Sequence, residues 1–362
     1  MNILYLNRGM GLGGVEKCII QLCKLFNGDN KVIVASMGGE LTKDLEKMGV
    51  KHYNILNTDS KNPDVILNNL MTIYKIVKKE NIDIIHSHHR MTTLLAKLIS
   101  KITKVKVIHT QHLCIEDKFK LTNVSLKGIK TITVSKAAKR ILIEKAGLEE
   151  NNIKTIYNTV ETDHDSKEVD DKLLELKKKG YFIAAQVSRI VDYKGVYDFI
   201  SIAKSTALKN EKIKFVLIGD GPELSNIKEL IKKEQLEDYI YPLGAKDNII
   251  EYLKYIDVLL LCSYIEGLPL TPLEAFSQGV PVVATNIDGT NEEIENGYNG
   301  YLVEAKDIEG FKEKILELYE DEEKYSYMKG NCFEIFNAEF NKEIYFKLHL
   351  KEYKEILSHE RK

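Results

Sequence analysis

Apolar positions recur along the chain in two alternating patterns. Short runs rich in β-branched residues, NILYLN (2–7), KVIVASM (31–37), IDIIHS (82–87), VKVIHT (105–110), TITVS (131–135) and IKTIYN (153–158), are separated by stretches with helical spacing. Within 15–26, Val15, Cys18, Ile19, Leu22, Cys23, Leu25 and Phe26 fall on one helical stripe, which predicts a helix packed on a sheet. This rhythm is that of βαβ units and a mostly parallel sheet. It collapses at TVETDHDSKEVDDKLLELKKKG (159–180), a charged stretch with few large apolar residues.

The alternation restarts at YFIAAQVS (181–188) and continues through KFVLIG, YIYPLG, VLLLCS, PVVAT and GYLVE, with helices expected near 195–208, 222–235, 248–255 and from 272. From about 307 the pattern is helical to the end. The fold class is therefore α/β, with two Rossmann-like doubly wound domains in tandem facing a central cleft. The expected boundaries are 1–160 for the first, 161–180 for a charged linker, 181–338 for the second and 339–362 for a final helix. In open α/β sheets ligands sit beyond the carboxyl ends of the strands, so the loops after strands are where chemistry is expected.

Length supports two domains, since 362 residues exceed one ordinary core. Hydrophobic residues at 44%, charged residues at 29% and a net charge of -2 place the chain among globular proteins and disfavour nucleic acid as a partner. Five scattered cysteines without CxxC spacing read as reduced core thiols of a cytoplasmic protein, with no structural zinc. The N-terminus lacks the pattern of a secretory leader, and no apolar run is long enough to span a membrane.

Candidate chemistry is found at strand ends. EGLPLTPLEAF (266–276) places Glu266 and Glu274 eight positions apart. Thr271, Pro272 and Glu274 fit a helix start with a capping box, a structural reason for Glu274. Glu266 lies outside that helix beside Gly267 and has no such reason. Backbone amides at Leu270 and Thr271 at a helix start suit a phosphate oxygen, whereas the two carboxylates suit sugar hydroxyls. VSRIVDYKG (187–195) holds Arg189, one of only five arginines, and Lys194; a guanidinium fork and a second cation suit a diphosphate, though either alone reads as a solvated surface charge.

NRGMGLGGVEK spells GxGxxG at Gly9, Gly11 and Gly14, but the acid expected after the second strand of a dinucleotide fold is missing. A turn that lets a phosphate approach the backbone is the safer reading. In GDGPE, packing and ligand contact explain Gly219 and Gly221 equally well. His86, His88 and His89 cluster in HSHH, and His112 follows the next strand; no acid or cysteine at ligand spacing accompanies them, so a metal reading is not favoured. His86 and His88 share a face by alternation, one suited to the core and one to the cleft. Asp163-His164-Asp165 has a DxD form but lies in the charged stretch, where a solvated loop is the better reading.

Together, GGVE, HSHH, SR-x(4)-KG, GDGPE and the two glutamates after VLLLCS, in this order along the chain, resemble family 4 glycosyltransferases of the GT-B fold over nearly the whole chain. The resemblance implies a retaining, metal-independent transferase without a cofactor, whose donor substrate is a nucleotide-sugar, a UDP-sugar before a GDP-sugar. It implies that the second domain binds the donor and that the last helix crosses back to the first domain. Arg189 and Lys194 would hold the diphosphate, Glu274 the ribose, and Glu266 with the Gly267, Leu268, Leu270 and Thr271 backbone the donor sugar. Gly221 and the Leu243, Gly244, Ala245 and Lys246 segment would border the nucleotide, Gly13 and Gly14 would approach the phosphates, and His88 would lie near the sugar and acceptor. The acceptor would be a glycan or a lipid-linked sugar of bacterial surface polysaccharide assembly. Residues 90–106 interleave Arg90, Lys97, Lys101, Lys104 and Lys106 with Leu94, Leu95, Leu98, Ile99 and Ile102; this suits an anionic membrane surface at the inner face of the cell membrane, and equally a Rossmann helix with a solvated basic side. Rival readings are a catalytically silent nucleotide-sugar-binding partner, a dinucleotide oxidoreductase and a sugar-nucleotide epimerase of the same fold.

Overall fold

The apolar runs become parallel strands, most of them buried on both faces, which is why they read as near-continuous Val, Ile and Leu rather than as an alternation; the edge run YIYPLG is only partly buried. The computed structural model describes residues 1–115, 117–162 and 168–358. The chain divides into two units, Met1–Thr159 together with Lys342–Lys362, and Val160–Asn341.

The first unit runs β1 (Asn2–Leu6), α1 (Gly14–Phe26), β2 (Lys31–Ser36), α2 (Thr42–Lys47), β3 (Lys51–Asn54), α3 (Pro63–Lys79), β4 (Ile84–Ser87), α4 (Arg90–Ile102), β5 (Lys106–Gln111), α5 (Phe119–Leu126), β6 (Lys130–Thr133), α6 (Lys136–Glu144) and β7 (Ile153–Thr155). Its sheet has the order β3-β2-β1-β4-β5-β6-β7. Leu4 of the interior strand β1 pairs with Ile33 on one side and Ile85 on the other. Strand order reverses between β1 and β4, so the loops after these two strands open from a topological switch point. The glycine-rich loop follows β1, and His88 follows β4.

In the second unit, α7 (Asp171–Lys178), β8 (Phe182–Val187), α8 (Val196–Ala207), β9 (Ile213–Ile218), α9 (Leu224–Lys233), β10 (Ile240–Gly244), α10 (Ile249–Leu253), β11 (Val258–Leu261), α11 (Leu270–Ser277), β12 (Val282–Thr285) and β13 (Gly300–Val303) precede α12 (Ile308–Glu320) and α13 (Glu322–Ile335). The sheet order β10-β9-β8-β11-β12-β13 repeats the same winding, with the switch between β8 and β11. Arg189 follows β8, and Glu266 follows β11. Phe199, Phe215, Ile227, Leu260 and Ile315 form part of a fully buried core.

The charged stretch expected to be a linker is in part a helix. In α7, Leu173 and Leu176 are buried, and Lys177 reaches Asp257 at 2.7 Å. Two leucines three positions apart suffice for one buried stripe, and the surrounding charges masked it. The last helix, α14 (Lys342–Ser358), belongs to the first unit. Its Tyr345 and Tyr353 enter the core around Ile3, Tyr5 and Phe26, with Phe26 and Tyr353 rings 5.0 Å apart. Lys130 at the start of β6 bridges Glu352 and Glu355, each at 2.6 Å. All five cysteines are buried free thiols. Among the described residues, no helix is long and apolar enough to cross a membrane.

Candidate active site

In the second unit, backbone contacts place four segments side by side. Past the end of β8, Ser188 N–H donates to Ile218 at 3.1 Å and Ile190 N–H to Asp220 at 2.9 Å. A Cβ on Gly219 would lie 1.8 Å from the Ser188 carbonyl oxygen, and one on Gly221 2.3 Å from that of Ile190. Packing alone therefore requires both glycines of GDGPE. Gly219 N–H donates to Gly244 at 2.9 Å, which joins this turn to the end of β10.

Arg189 is exposed, and its guanidinium has no ion-pair partner among the described residues. Lys194 is held differently. Gly195 adopts φ 65°, and a side chain there would meet the Cys262 carbonyl at 1.9 Å. This close approach sets the short 192–194 helical turn against the loop after β11. Lys194 Nζ lies 2.5 Å from Glu266 Oε1, with Glu266 buried. Two groups that sequence spacing left 72 residues apart are thus one ion pair.

The loop carrying Glu266 is braced from beneath. A Cβ on Gly289, whose φ is 92°, would lie 2.2 Å from the Gly267 carbonyl oxygen, so the two backbones are in contact. The turn that follows contains Glu293, fully buried, with neither carboxyl oxygen hydrogen bonded among the described residues. Burial pushes its carboxyl well above the usual carboxylate range, and the charge of Glu266 adds to the effect. Sequence reading passed over this residue. In NEEIE it looks like one more surface acid, and only its place beside buried Ile294 sets it apart.

The expected capping box at Thr271 and Glu274 is not formed. The N-cap of α11 is Pro269, at φ -66° and ψ 143°, which puts Thr271 and Pro272 inside the first turn. Pro272 is accommodated there because the first N–H groups of a helix have no intrahelical acceptor. Thr271 Oγ1 donates instead to Val187 at 3.4 Å, tying the helix start to the end of β8. Glu274 is buried in the second turn. Leu268 is buried, while Leu270 is partly accessible at the helix start. After β10, Ala245 is exposed, and Lys246 pairs with Asp170 at 3.2 Å. A shallow depression lined by Lys172, Lys228, Tyr241 and Leu243 includes only Leu243 of the expected residues.

In the first unit, Gly13 is the N-cap of α1 and Gly14 its first residue, both exposed. The histidines form a stacked column. His86 is fully buried, with Nδ1 at 2.7 Å from the Tyr353 hydroxyl and Nε2 at 2.6 Å from Thr110 Oγ1. His88 stacks on it at 4.4 Å, and its Nδ1 lies 2.9 Å from His112 Nε2. His88 is also buried, and its Nε2 has no partner among the described residues. Burial, reinforced by the neighbouring His86 and His112, lowers the His88 pKa well below the ordinary histidine value. A neutral imidazole with one nitrogen engaged can present the other as donor or acceptor. No group of three His, Cys, Asp or Glu residues could hold a metal among the described residues. The DxD sequence at 163–165 lies outside them.

Known proteins share the sequence pattern and the fold of this chain. Residues 168–334 match the family described as Glycosyl transferases group 1, and residues 12–164 match Glycosyltransferase Family 4. An uncharacterized glycosyltransferase of Methanocaldococcus jannaschii is 31% identical over 271 residues, covering 70% of this chain and 71% of the relative. The UDP-Gal:alpha-D-GlcNAc-diphosphoundecaprenol alpha-1,3-galactosyltransferase of Escherichia coli is 28% identical over 346 residues, with 89% and 88% coverage. The crystal structure of a glycosyltransferase from Rickettsia africae superposes with a TM-score of 0.85 at 26% identity, covering 99% of both chains.

Proposed function

The chain belongs to the group 1, family 4 glycosyltransferases of the GT-B fold, and from that premise we propose that it moves a hexose from a UDP-sugar to a lipid-linked sugar acceptor, with retention at the anomeric carbon. The observation that carries the donor assignment is the meeting of Arg189, the Lys194–Glu266 pair and the start of α11 at the ends of β8 and β11. A diphosphate needs cations and free backbone amides, and a hexose needs carboxylate acceptors. This edge offers both. Arg189 is the free fork for the diphosphate. Lys194 stabilises the leaving group as its negative charge grows, an electrostatic effect commonly large in enzyme catalysis. Glu266 accepts from sugar hydroxyls and Glu274 from the ribose, while the 243–246 segment borders the base.

In the reaction the acceptor hydroxyl oxygen forms a bond to the donor anomeric carbon. The bond from that carbon to the diphosphate oxygen breaks with its electron pair on the phosphate, and the acceptor proton passes to the departing diphosphate. Attack and departure on the same face give retention without a protein nucleophile. His88, neutral and with Nε2 unengaged, is assigned to the acceptor side.

Relatives support the lipid-linked acceptor, since the Escherichia coli transferase is named for a diphosphoundecaprenol-linked sugar. The surface of the first unit supports it as well. Residues 90–106 and 118–130 carry nine cations in a chain of net charge -2; Arg90 and Lys118 share Asp117 and Lys130 is held by Glu352 and Glu355, which leaves six of them outside these pairs. Exposed Leu98, Ile102 and Val124 stand among them on α4 and α5. Apolar side chains ringed by lysines suit an anionic membrane surface, where such an acceptor resides. A thermal-shift screen of nucleoside diphosphates and their sugars, with Arg189→Ala as control, tests the donor reading. UDP compounds are expected to raise the melting temperature of the wild type more than that of Arg189→Ala at the same concentration, and no response to any diphosphate would overturn the assignment.

A further inference from the structure

Glu293 is completely buried, yet neither of its carboxyl oxygens has a hydrogen-bond partner among the described residues. The charges that act on it are those of Glu266, from the loop after β11, and Glu292, from its own turn; among the described residues no lysine, arginine or histidine offsets them. The Gly267 and Gly289 backbones touch, so the Glu266 loop rests on the turn that carries Glu293. Glu266 has taken the cation of this neighbourhood, Lys194 at 2.5 Å. A buried carboxylate without a counter-charge is strongly disfavoured, so Glu293 carries a proton at neutral pH while its neighbour is the paired anion. Two carboxyl groups driven to opposite protonation states by their surroundings have distinct roles.

We propose that Glu293 is a positioning residue for Glu266, supporting the donor-sugar loop from its buried side as a neutral acid. With Glu293 protonated, the loop bears a single negative charge, which Lys194 and the sugar hydroxyls share. When Lys194 turns to the diphosphate, Glu266 loses its cation partner. The proton on Glu293 then keeps a second anion from facing it, and the loop stays in place. If that proton leaves, two carboxylates oppose each other beneath Gly267 and the sugar-binding geometry is lost. The effect falls on the sugar rather than on the nucleotide, because Arg189 and the backbone amides do not depend on Glu293.

This inference rests on the donor site proposed above, and its test separates the two. The binding of UDP and of UDP-galactose to the full chain is measured by calorimetry from pH 6 to pH 9.5 for the wild type, Glu293→Gln and Glu293→Met. The wild type is expected to lose UDP-galactose affinity at alkaline pH, at a slope approaching about tenfold per unit once Glu293 ionises, while UDP affinity changes much less. Glu293→Gln is expected to remove that loss. Glu293→Met, close in size and uncharged, reads the same quantity if the glutamine variant does not fold. Parallel UDP-galactose profiles in the wild type and in either folded variant would overturn the role of Glu293 and leave the donor site intact. Failure of the wild type to bind UDP at any pH would remove the donor site and this inference with it.

Discussion

Lys194 Nζ and Glu266 Oε1 lie 2.5 Å apart, joining the loop after β8 to the loop after β11 across the switch point of the second sheet. Removing either partner leaves a shielded charge uncompensated, because Glu266 is 7% exposed and Lys194 19%. Breaking a buried pair costs more than a surface pair, on the order of 2–4 kcal/mol after allowing for the partial exposure of Lys194. Lys194→Ala and Glu266→Gln should each lower both stability and UDP-sugar binding. A double-mutant cycle should show a coupling of about 1 kcal/mol or more, and additive losses in urea unfolding would refute the pair.

Arg189 should behave in the opposite way. It is exposed and unpaired among the described residues, so Arg189→Ala is expected to leave stability within about 0.5 kcal/mol of the wild type. Loss of a charge-assisted fork on a diphosphate should weaken UDP binding by roughly 10- to 100-fold. Arg189→Lys should restore only part of this, because an ammonium cannot bond in bidentate fashion. Calorimetric titration with UDP, alongside thermal melts, checks both halves.

The histidine column makes the first unit sensitive to acid. His349 of α14 adjoins the column, its ring 6.1 Å from that of His86, while His109 of β5 is buried beside it and bonds to Thr93 of α4; burial pushes His109 down to about 4, His112 to about 3 and His349 to about 4. An unfolded chain binds protons at these sites below about 6.5, whereas the folded chain does not. Stability from the column is therefore fully present above that value and is lost as pH falls from about 6.5 toward the folded-state values. Melting temperature should decline steeply between pH 6.5 and 4.5. His109→Asn should flatten part of that decline, and an unchanged slope would contradict the assignment.

Glu293 gives a pH dependence of opposite sign. Its folded-state carboxyl titrates well above the usual range, so the folded chain holds a proton that the unfolded chain releases above about 4.3. Stability is then lost as pH rises from that value toward the folded-state pKa. Glu293→Gln should melt at the same temperature as the wild type near pH 4 and higher at pH 8. A variant that is less stable at pH 8 would show that the acid is held by bonds the structure does not contain.

Tyr353 couples the last helix to the column through its 2.7 Å hydrogen bond to His86. Tyr353→Phe keeps the ring packing on Phe26 and leaves His86 Nδ1 without that partner. The expected cost is about 1–2 kcal/mol, read from urea unfolding, without loss of UDP binding, for which the proposed site lies in the other unit.

Hydrophobic periodicity made most strands and their parallel character legible, because a strand buried on both faces leaves a continuous apolar signal; β3 (KHYN), polar and without a buried residue, left none. Strand ends then pointed to Arg189, Lys194, Glu266 and Glu274 as candidates. Partnership was not legible. Spacing suggested that Glu274 was a cap and that Glu266 had no structural role. The structure reverses this, since Pro269 caps α11 and Glu266 is held by Lys194. A contact across 72 residues leaves no local trace. Leu173 and Leu176 were hidden by surrounding charge, and Glu293 by an acidic run in which one side chain turns inward.

The most direct measurement is incubation of the purified chain with UDP-galactose and a GlcNAc-diphospholipid, following UDP release and the anomeric coupling of the product by NMR. UDP and an α-linked disaccharide lipid should appear in equal amounts for the wild type, at a rate at least about 100-fold lower for Arg189→Ala. Transfer with inversion, or no UDP from this or any other UDP-hexose with the lipid acceptor, would contradict the account.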